Sequence, residues 1–373
     1  MHLGLLTSIG ATLDAFLMEI AEDLRSRGHE VSLAAGTPTK KATSTTLPGI
    51  TRKPSLSNLH AHRDLSDWVA ANRIDVIISS TATASALARL TMRKCPVIYF
   101  CHRLHWQNNS GTSDLAWKAA ESALLRNTAG VTTLNNDDEA WFRHKALQIP
   151  QLRLRYGVGI DPEQYPRIEP PESKTTKLIW VGELTERKNP LSAIQVASAL
   201  QRLGCDFHLN MLGEGPMRDQ ILTAIRSSGL ANNVTWHGRT PSQPFMVQSH
   251  ALMHTARWEG LPRVFLEALS TGRQIFSYDV KGTRDLPDVR LSPFADTERM
   301  ARNIAEWSNP ARFTRASARA QRPVLHPRRR TDRPVRPGHR RNFGPGRMRR
   351  PLYPLIPAHA FRKNPGHLYE FSQ

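Results

Sequence analysis

Residues 2–35 read HLGLLTSIGATLDAFLMEIAEDLRSRGHEVSLAA. His2–Thr7 is a short apolar run, the mark of a strand buried on both faces. A polar turn with Gly10 follows. Apolar residues then recur at helical spacing: Leu13, Phe16, Leu17, Ile20, Ala21 and Leu24. Gly28 stands where a helix C-cap is expected, and Val31–Ala35 forms the next apolar run. A strand, helix and strand within 36 residues predict a parallel sheet, because two parallel strands need a crossover.

The alternation continues outward. Helices are expected at Asp64–Asn72, Ala82–Arg93, Asp114–Arg126 and Asp137–Ala146, with strands at Val76–Ser79, Pro96–Cys101 and Gly130–Leu134. Residues 161–174 hold four prolines among mixed charges and read as a linker. A second block repeats the pattern. Its strands are expected at Leu178–Val181, Phe207–Leu212, Val234–His237, Ala251–His254 and Ile275–Tyr278. Its helices are expected at Pro190–Leu203, Met217–Gly229, Ser242–Gln248, Val264–Ser270 and Glu298–Trp307. The fold class is therefore α/β, with two Rossmann-like, doubly wound domains facing a central cleft. The divisions are 1–165, 166–310 and a tail, 311–373. A ligand would lie at the carboxyl ends of both sheets.

The chain has 373 residues and a formal charge of +19. Residues 311–373 carry 16 Lys+Arg against 2 Asp+Glu, so the rest is close to neutral at +5. That distribution argues against a nucleic-acid-binding function for the first 310 residues. The tail is rich in Arg and Pro and has no helical or alternating period. It reads as a disordered extension, as a nucleic-acid-binding arm, or as a shifted reading frame over the end of a gene. Three cysteines, Cys95, Cys101 and Cys205, suit free thiols in a reducing compartment. No window of about 18 apolar residues spans a bilayer, and the acidic N-terminal stretch is unlike a signal peptide.

The stretch Arg257-Trp258-Glu259-Gly260-Leu261-Pro262-Arg263-Val264-Phe265-Leu266-Glu267 places two carboxylates eight positions apart. Glu259 falls in the loop after a strand, and Glu267 about one turn into the next helix. Gly260, Leu261 and Pro262 shape a loop at a helix N-terminus, where backbone N–H groups can meet a diphosphate. A carboxylate accepts two vicinal hydroxyls well. Taken alone, the pair also reads as a loop charge and a surface helix residue.

The surrounding motifs narrow that choice. With Glu259 and Glu267 as its E-x7-E pair, the sequence resembles glycosyltransferase family 4, the retaining GT-B enzymes. Val181-Gly182-Glu183-Leu184 with Lys188-Asn189 resembles that family's first glycine loop. Leu212-Gly213-Glu214-Gly215-Pro216-Met217-Arg218 resembles its GxGPxR element, and Gly157–Asp161 its domain-junction segment. Tyr99–Trp106, Thr133–Asp138 and Val280–Leu286 resemble elements of the capsular and exopolysaccharide branch, although Arg103 replaces a glycine there.

The resemblance implies a sugar transferred from a nucleotide diphosphate-sugar, with a leaning to uridine, onto a glycan acceptor linked to polyprenyl diphosphate. It implies work in the cytoplasm at the inner membrane face, with peripheral membrane contact, no metal, no further cofactor and no specific nucleic-acid partner. Lys188 would neutralise the donor diphosphate, with Arg187 a second candidate. Glu267 would hold the ribose, and Glu259 the donor sugar. Gly182, Gly213 and Gly215 would belong to the nucleotide loops, with the last two letting the base approach. Gly10 would face acceptor and donor phosphates from its loop. His102 would contact the reacting sugar or the acceptor, with His105 a further candidate. Arg284 and Asp285 would line the acceptor entrance. Rival readings are a nucleotide-sugar epimerase on this fold, a basic nucleic-acid-binding protein, and an inactive frameshifted product.

Overall fold

The structure is a computed structural model. It describes residues 1–308 apart from 53, 54, 56, 105, 107–111 and 162. His105 and the basic tail, with its three readings, lie outside the described residues. Two parallel sheets are built in succession along the chain. The first contains β1 (His2–Thr7), β2 (Glu30–Ala35), β3 (Thr45–Thr46), β4 (Val76–Ser80), β5 (Val97–Cys101), β6 (Gly130–Thr133) and β7 (Gln151–Arg153). Their order is β3-β2-β1-β4-β5-β6-β7. The second contains β8 (Thr176–Val181), β9 (Phe207–Leu212), β10 (Val234–Trp236), β11 (Ala251–His254), β12 (Gln274–Tyr278) and β13 (Val289–Ser292). Its order is β10-β9-β8-β11-β12-β13.

The strand order reverses between β1 and β4 in one sheet and between β8 and β11 in the other. Loops at these two points diverge and leave room for a ligand. Lys188 and Glu259 follow β8 and β11 at one of these points, and His102, Gly213 and Lys281 follow the strands β5, β9 and β12 farther along the same sheets.

Helices cover both faces, so the middles of the central strands are buried: Leu3, Leu5, Leu178 and Ile179 are fully buried. In the first domain these are α1 (Gly10–Thr12), running through a π turn (Leu13–Leu17) into α2 (Met18–Ser26), then α3 (Asn58–Ala71), α4 (Ala82–Thr91), α5 (Thr112–Leu124) and α6 (Asn136–Lys145). In the second they are α7 (Pro190–Arg202), α8 (Arg218–Ser227), α9 (Ser242–Val247), α10 (Arg263–Thr271) and α11 (Thr297–Ser308). None of the described helices is long and apolar enough to cross a membrane. The three cysteines are free thiols.

The structure departs from the sequence pattern in a few places. α3 begins six residues before the expected helix. Its first turn, Asn58 to Ala61, mixes polar and apolar residues, so the buried stripe Ala61, Leu65 and Trp68 stands out only from its later part. The edge strands β3, β7 and β13 were not expected. They are short and half-exposed, so they lack the apolar run that marks an inner strand. The first helix starts at Gly10, not Leu13, and its π turn loosens the usual i to i−4 ladder.

Candidate functional site

Fold and local packing place Lys188 and Arg187 against Glu259. The loop after β8 is pinned at its end by Thr255, whose hydroxyl accepts from Trp180 Nε1 at 3.0 Å and donates to Asn189 O at 2.9 Å. The backbone N–H of Arg257 donates to Arg187 O at 2.8 Å. With the two loops tied, Lys188 Nζ lies 2.5 Å from Glu259 Oε1, and Arg187 Nη1 lies 2.9 Å from Oε2. Glu259 is 7% exposed. Burial alone would raise its pKa, but His254, Lys188 and Arg187 together hold the carboxyl well below the usual range. The second carboxylate, Glu267 on α10, is also buried and accepts from Ser242 Oγ at 2.8 Å.

The glycines have local packing reasons. Gly213 has φ +137°, and a Cβ there would lie 1.8 Å from Gly182 O. A Cβ on Gly215 would lie 2.5 Å from Leu184 O. The two nucleotide-loop motifs are thus stacked on each other through backbone, and their glycines permit that stacking. Gly182 lies under the aliphatic stem of Lys188 and the ring of Trp180. Gly10 is not in a loop. It is the first residue of α1; its N–H donates to Thr37 Oγ1 at 2.9 Å, and a Cβ would meet Pro38 O at 2.1 Å.

The first domain contributes His102, just after β5. Its Nε2 lies 2.5 Å from Ser80 Oγ, and its ring packs against Phe16 and Phe100. Burial pushes its pKa down to about 4, so the ring is neutral near pH 7. The Gly260–Pro262 loop crosses to this side. A Cβ on Gly260 would lie 2.0 Å from His102 O, Leu261 packs on the first-domain core, and Pro262 caps α10.

Other residues act where the sequence reading had no role, or a different one, for them. Arg103 lays its guanidinium 5.6 Å from the Trp258 ring, close to Arg187 and Glu259. Together, Arg103, Arg187 and Lys188 make a three-cation patch. Asp138 is fully buried, is paired with Lys281, and accepts from Leu104 N–H at 3.1 Å and Asn135 Nδ2 at 2.8 Å. Asp285 accepts from the Asn136 N–H at 3.1 Å and Arg284 lies 4.0 Å from Asp137, so these two join the domains, while Arg284 also pairs with Asp279 of its own domain at 2.8 Å. Arg263 donates to Ala15 O at 2.8 Å, a carbonyl of the π turn, and pairs with Glu19. The π turn shows the same apolar spacing as an ordinary helix (Leu13, Phe16, Leu17), and an ion pair between domains has no sequence period, so neither was legible in advance.

The chain matches two family models in tandem: the glycosyl transferase 4-like domain over residues 13–156 and glycosyl transferases group 1 over residues 161–307. It is 26% identical over 224 residues to the alpha-D-kanosaminyltransferase of Streptomyces kanamyceticus, covering 50% of this chain and 58% of that one. It is 24% identical to the amylovoran biosynthesis glycosyltransferase AmsK of Erwinia amylovora, covering 40% and 39%. The matches thus span less than two thirds of these relatives. Among solved structures, HepE of Anabaena in complex with UDP and glucose superposes with a TM-score of 0.69 at 16% identity, covering 86% of this chain and 94% of that one. The lipopolysaccharide glycosyltransferase WaaG superposes at 0.65 and 17%, covering 85% and 94%. These two likenesses establish the GT-B fold.

Proposed function

Because the chain belongs to the group 1 glycosyl transferases, with a glycosyl transferase 4-like domain in front, we propose that it moves a sugar from a nucleotide diphosphate-sugar onto a glycan acceptor in cell-surface polysaccharide biosynthesis. The observation that carries this reading is the buried Glu259 carboxylate, clamped by Lys188 and Arg187 at the carboxyl end of the second sheet. Two cations and a carboxylate of this kind suit a diphosphate and a sugar hydroxyl side by side.

The donor's diphosphate attracts Lys188, Arg187 and Arg103. These cations stabilise the charge that grows on the departing nucleoside diphosphate, where preorganised positive charge lowers the barrier most. Released from its cations, Glu259 accepts from hydroxyls of the donor sugar. Glu267 accepts from the ribose hydroxyls in place of Ser242. The anomeric bond breaks with oxocarbenium character, and the acceptor hydroxyl attacks from the same face, which retains configuration. His102, neutral in its apolar pocket, serves as a hydrogen-bonding group towards the reacting sugar or the acceptor. A uridine donor and a polyprenyl-diphosphate-linked acceptor at the inner membrane face complete the proposal. The exposed Leu115 and Leu147 on the first domain are available for peripheral lipid contact.

The test uses radiolabelled UDP-sugars with membrane lipid acceptors. Label enters the lipid fraction, and equimolar UDP is released. Lys188→Ala and Glu267→Ala abolish transfer while the far-ultraviolet spectrum is retained. Full activity in both variants refutes the site, and conversion of the sugar with no acceptor present favours the epimerase reading.

A further inference from the structure

His254 ends β11 directly beneath the site. It is 2% exposed, and its ring meets Phe265 edge-on at 5.0 Å between centroids. Its Nε2 has no hydrogen-bond partner, yet it lies 3.4 Å from Glu259 Oε1. A buried ring nitrogen left unpaired is costly, and such an atom calls for an explanation. The nearest group is an oxygen already held by Lys188 at 2.5 Å. The charged groups that face this imidazole are Glu259 on its own loop, and Lys188 and Arg187 from the loop after β8. Arg103 of the first domain reaches Glu259 from the other side.

We infer that His254 is a positioning residue that takes over Glu259 when the donor draws Lys188 and Arg187 away, and that donor binding is thereby coupled to uptake of a proton from solvent onto the His254 imidazole. The inference rests on the proposed donor site.

The physical reason is charge balance in a dry place. The diphosphate brings two negative charges and competes for both cations that now neutralise Glu259. A carboxylate at 7% exposure that loses its partners must gain another or become protonated. At 3.4 Å, His254 Nε2 is about 0.2 Å beyond the usual N–H···O range, so a small rotation closes the pair. In the free protein, burial pushes the His254 pKa down, the neighbouring Glu259 offsets part of that, and Lys188 and Arg187 oppose protonation further, so the net direction is downward. Removing those cations to the phosphates, and leaving the carboxylate, reverses their part of the effect. The proton moves from water to Nδ1 or Nε2, and no covalent bond to donor or acceptor changes.

Titration calorimetry of the full chain with UDP-glucose, UDP-galactose and UDP-N-acetylglucosamine, without acceptor, provides the test. These diesters carry no group that titrates near pH 6. Heats are measured at pH 6.5 in buffers of different ionisation enthalpy. The expected result is a net uptake approaching about one proton per donor bound. His254→Gln keeps a donor for Glu259 but cannot titrate, and it should bind the same UDP-sugar with uptake near zero. Donor binding by the parent chain with no buffer dependence overturns the inference and leaves the donor site standing. Equal uptake in His254→Gln overturns it too. If no UDP-sugar binds, the donor-site reading and this inference fall together. Should His254→Gln fail to fold, the two-buffer measurement on the parent chain decides alone.

Discussion

Replacing Lys281 with methionine would remove one ammonium group and leave its stem nearly unchanged. The partner, Asp138, is fully buried at the start of α6, and Lys281 stands after β12 in the other domain. Removing one member of a buried ion pair typically costs about 3–5 kcal/mol, because the remaining charge is stranded. Here Oδ2 keeps two donors, Leu104 N–H and Asn135 Nδ2. The lower end of that range applies, about 3 kcal/mol. For domains of this size that lowers Tm by about 6–12 °C. Lys281 also donates to Leu104 O and Trp106 O, and its own carbonyl accepts from the Glu259 N–H at 3.0 Å. The loss should therefore appear as early separation of the two domains as well as a lower midpoint. Scanning calorimetry with urea unfolding would measure both. The double variant Asp138→Asn/Lys281→Met leaves no stranded charge and should recover most of the loss. A Lys281→Met protein within about 0.5 kcal/mol of the parent would refute the stranded-charge reasoning.

Three further outcomes are expected. Gly213→Ala puts a Cβ 1.8 Å from Gly182 O at φ +137° and should cost at least about 3 kcal/mol in thermal unfolding, whereas Gly28→Ala, at φ +83° in open space, should cost only about 1 kcal/mol. His102 titrates near pH 4 folded and near 6.5 unfolded, so the unfolded chain binds more protons between those values and stability rises with pH across that window. The His102 share approaches about 3 kcal/mol below pH 4, and His102→Asn should flatten the profile there in urea titrations. Arg103→Leu removes one cation beside Arg187 and Glu259, and it should weaken UDP-sugar affinity about tenfold by calorimetry with little change in Tm; unchanged affinity would remove Arg103 from the site.

Much of the architecture was legible before any coordinates. Inner parallel strands are buried on both faces, so they appear as unbroken apolar runs such as Leu3–Leu6 and Leu178–Val181. Their helices show as apolar residues three and four apart. The loops after β8, β9 and β11 were also visible, since Gly213, Gly215 and Gly260 have little freedom to be anything else where backbone meets backbone. Of the edge strands, β10 was legible, whereas β3, β7 and β13 escaped notice because such short, partly exposed strands have no distinctive composition.

The order of the inner strands and their helices, the parallel sheets and the places of Lys188, Glu259 and Glu267 on loop or helix were thus legible in the sequence, because periodicity and short loops act locally. Which groups touch was decided only by the tertiary structure. Arg187 and Lys188 are more than 70 residues from Glu259, Lys281 is more than 140 from Asp138, and His254 shows only as one polar residue ending an apolar strand. Charge pairing and desolvation depend on distance and burial in space, and neither quantity is written in the order of the residues.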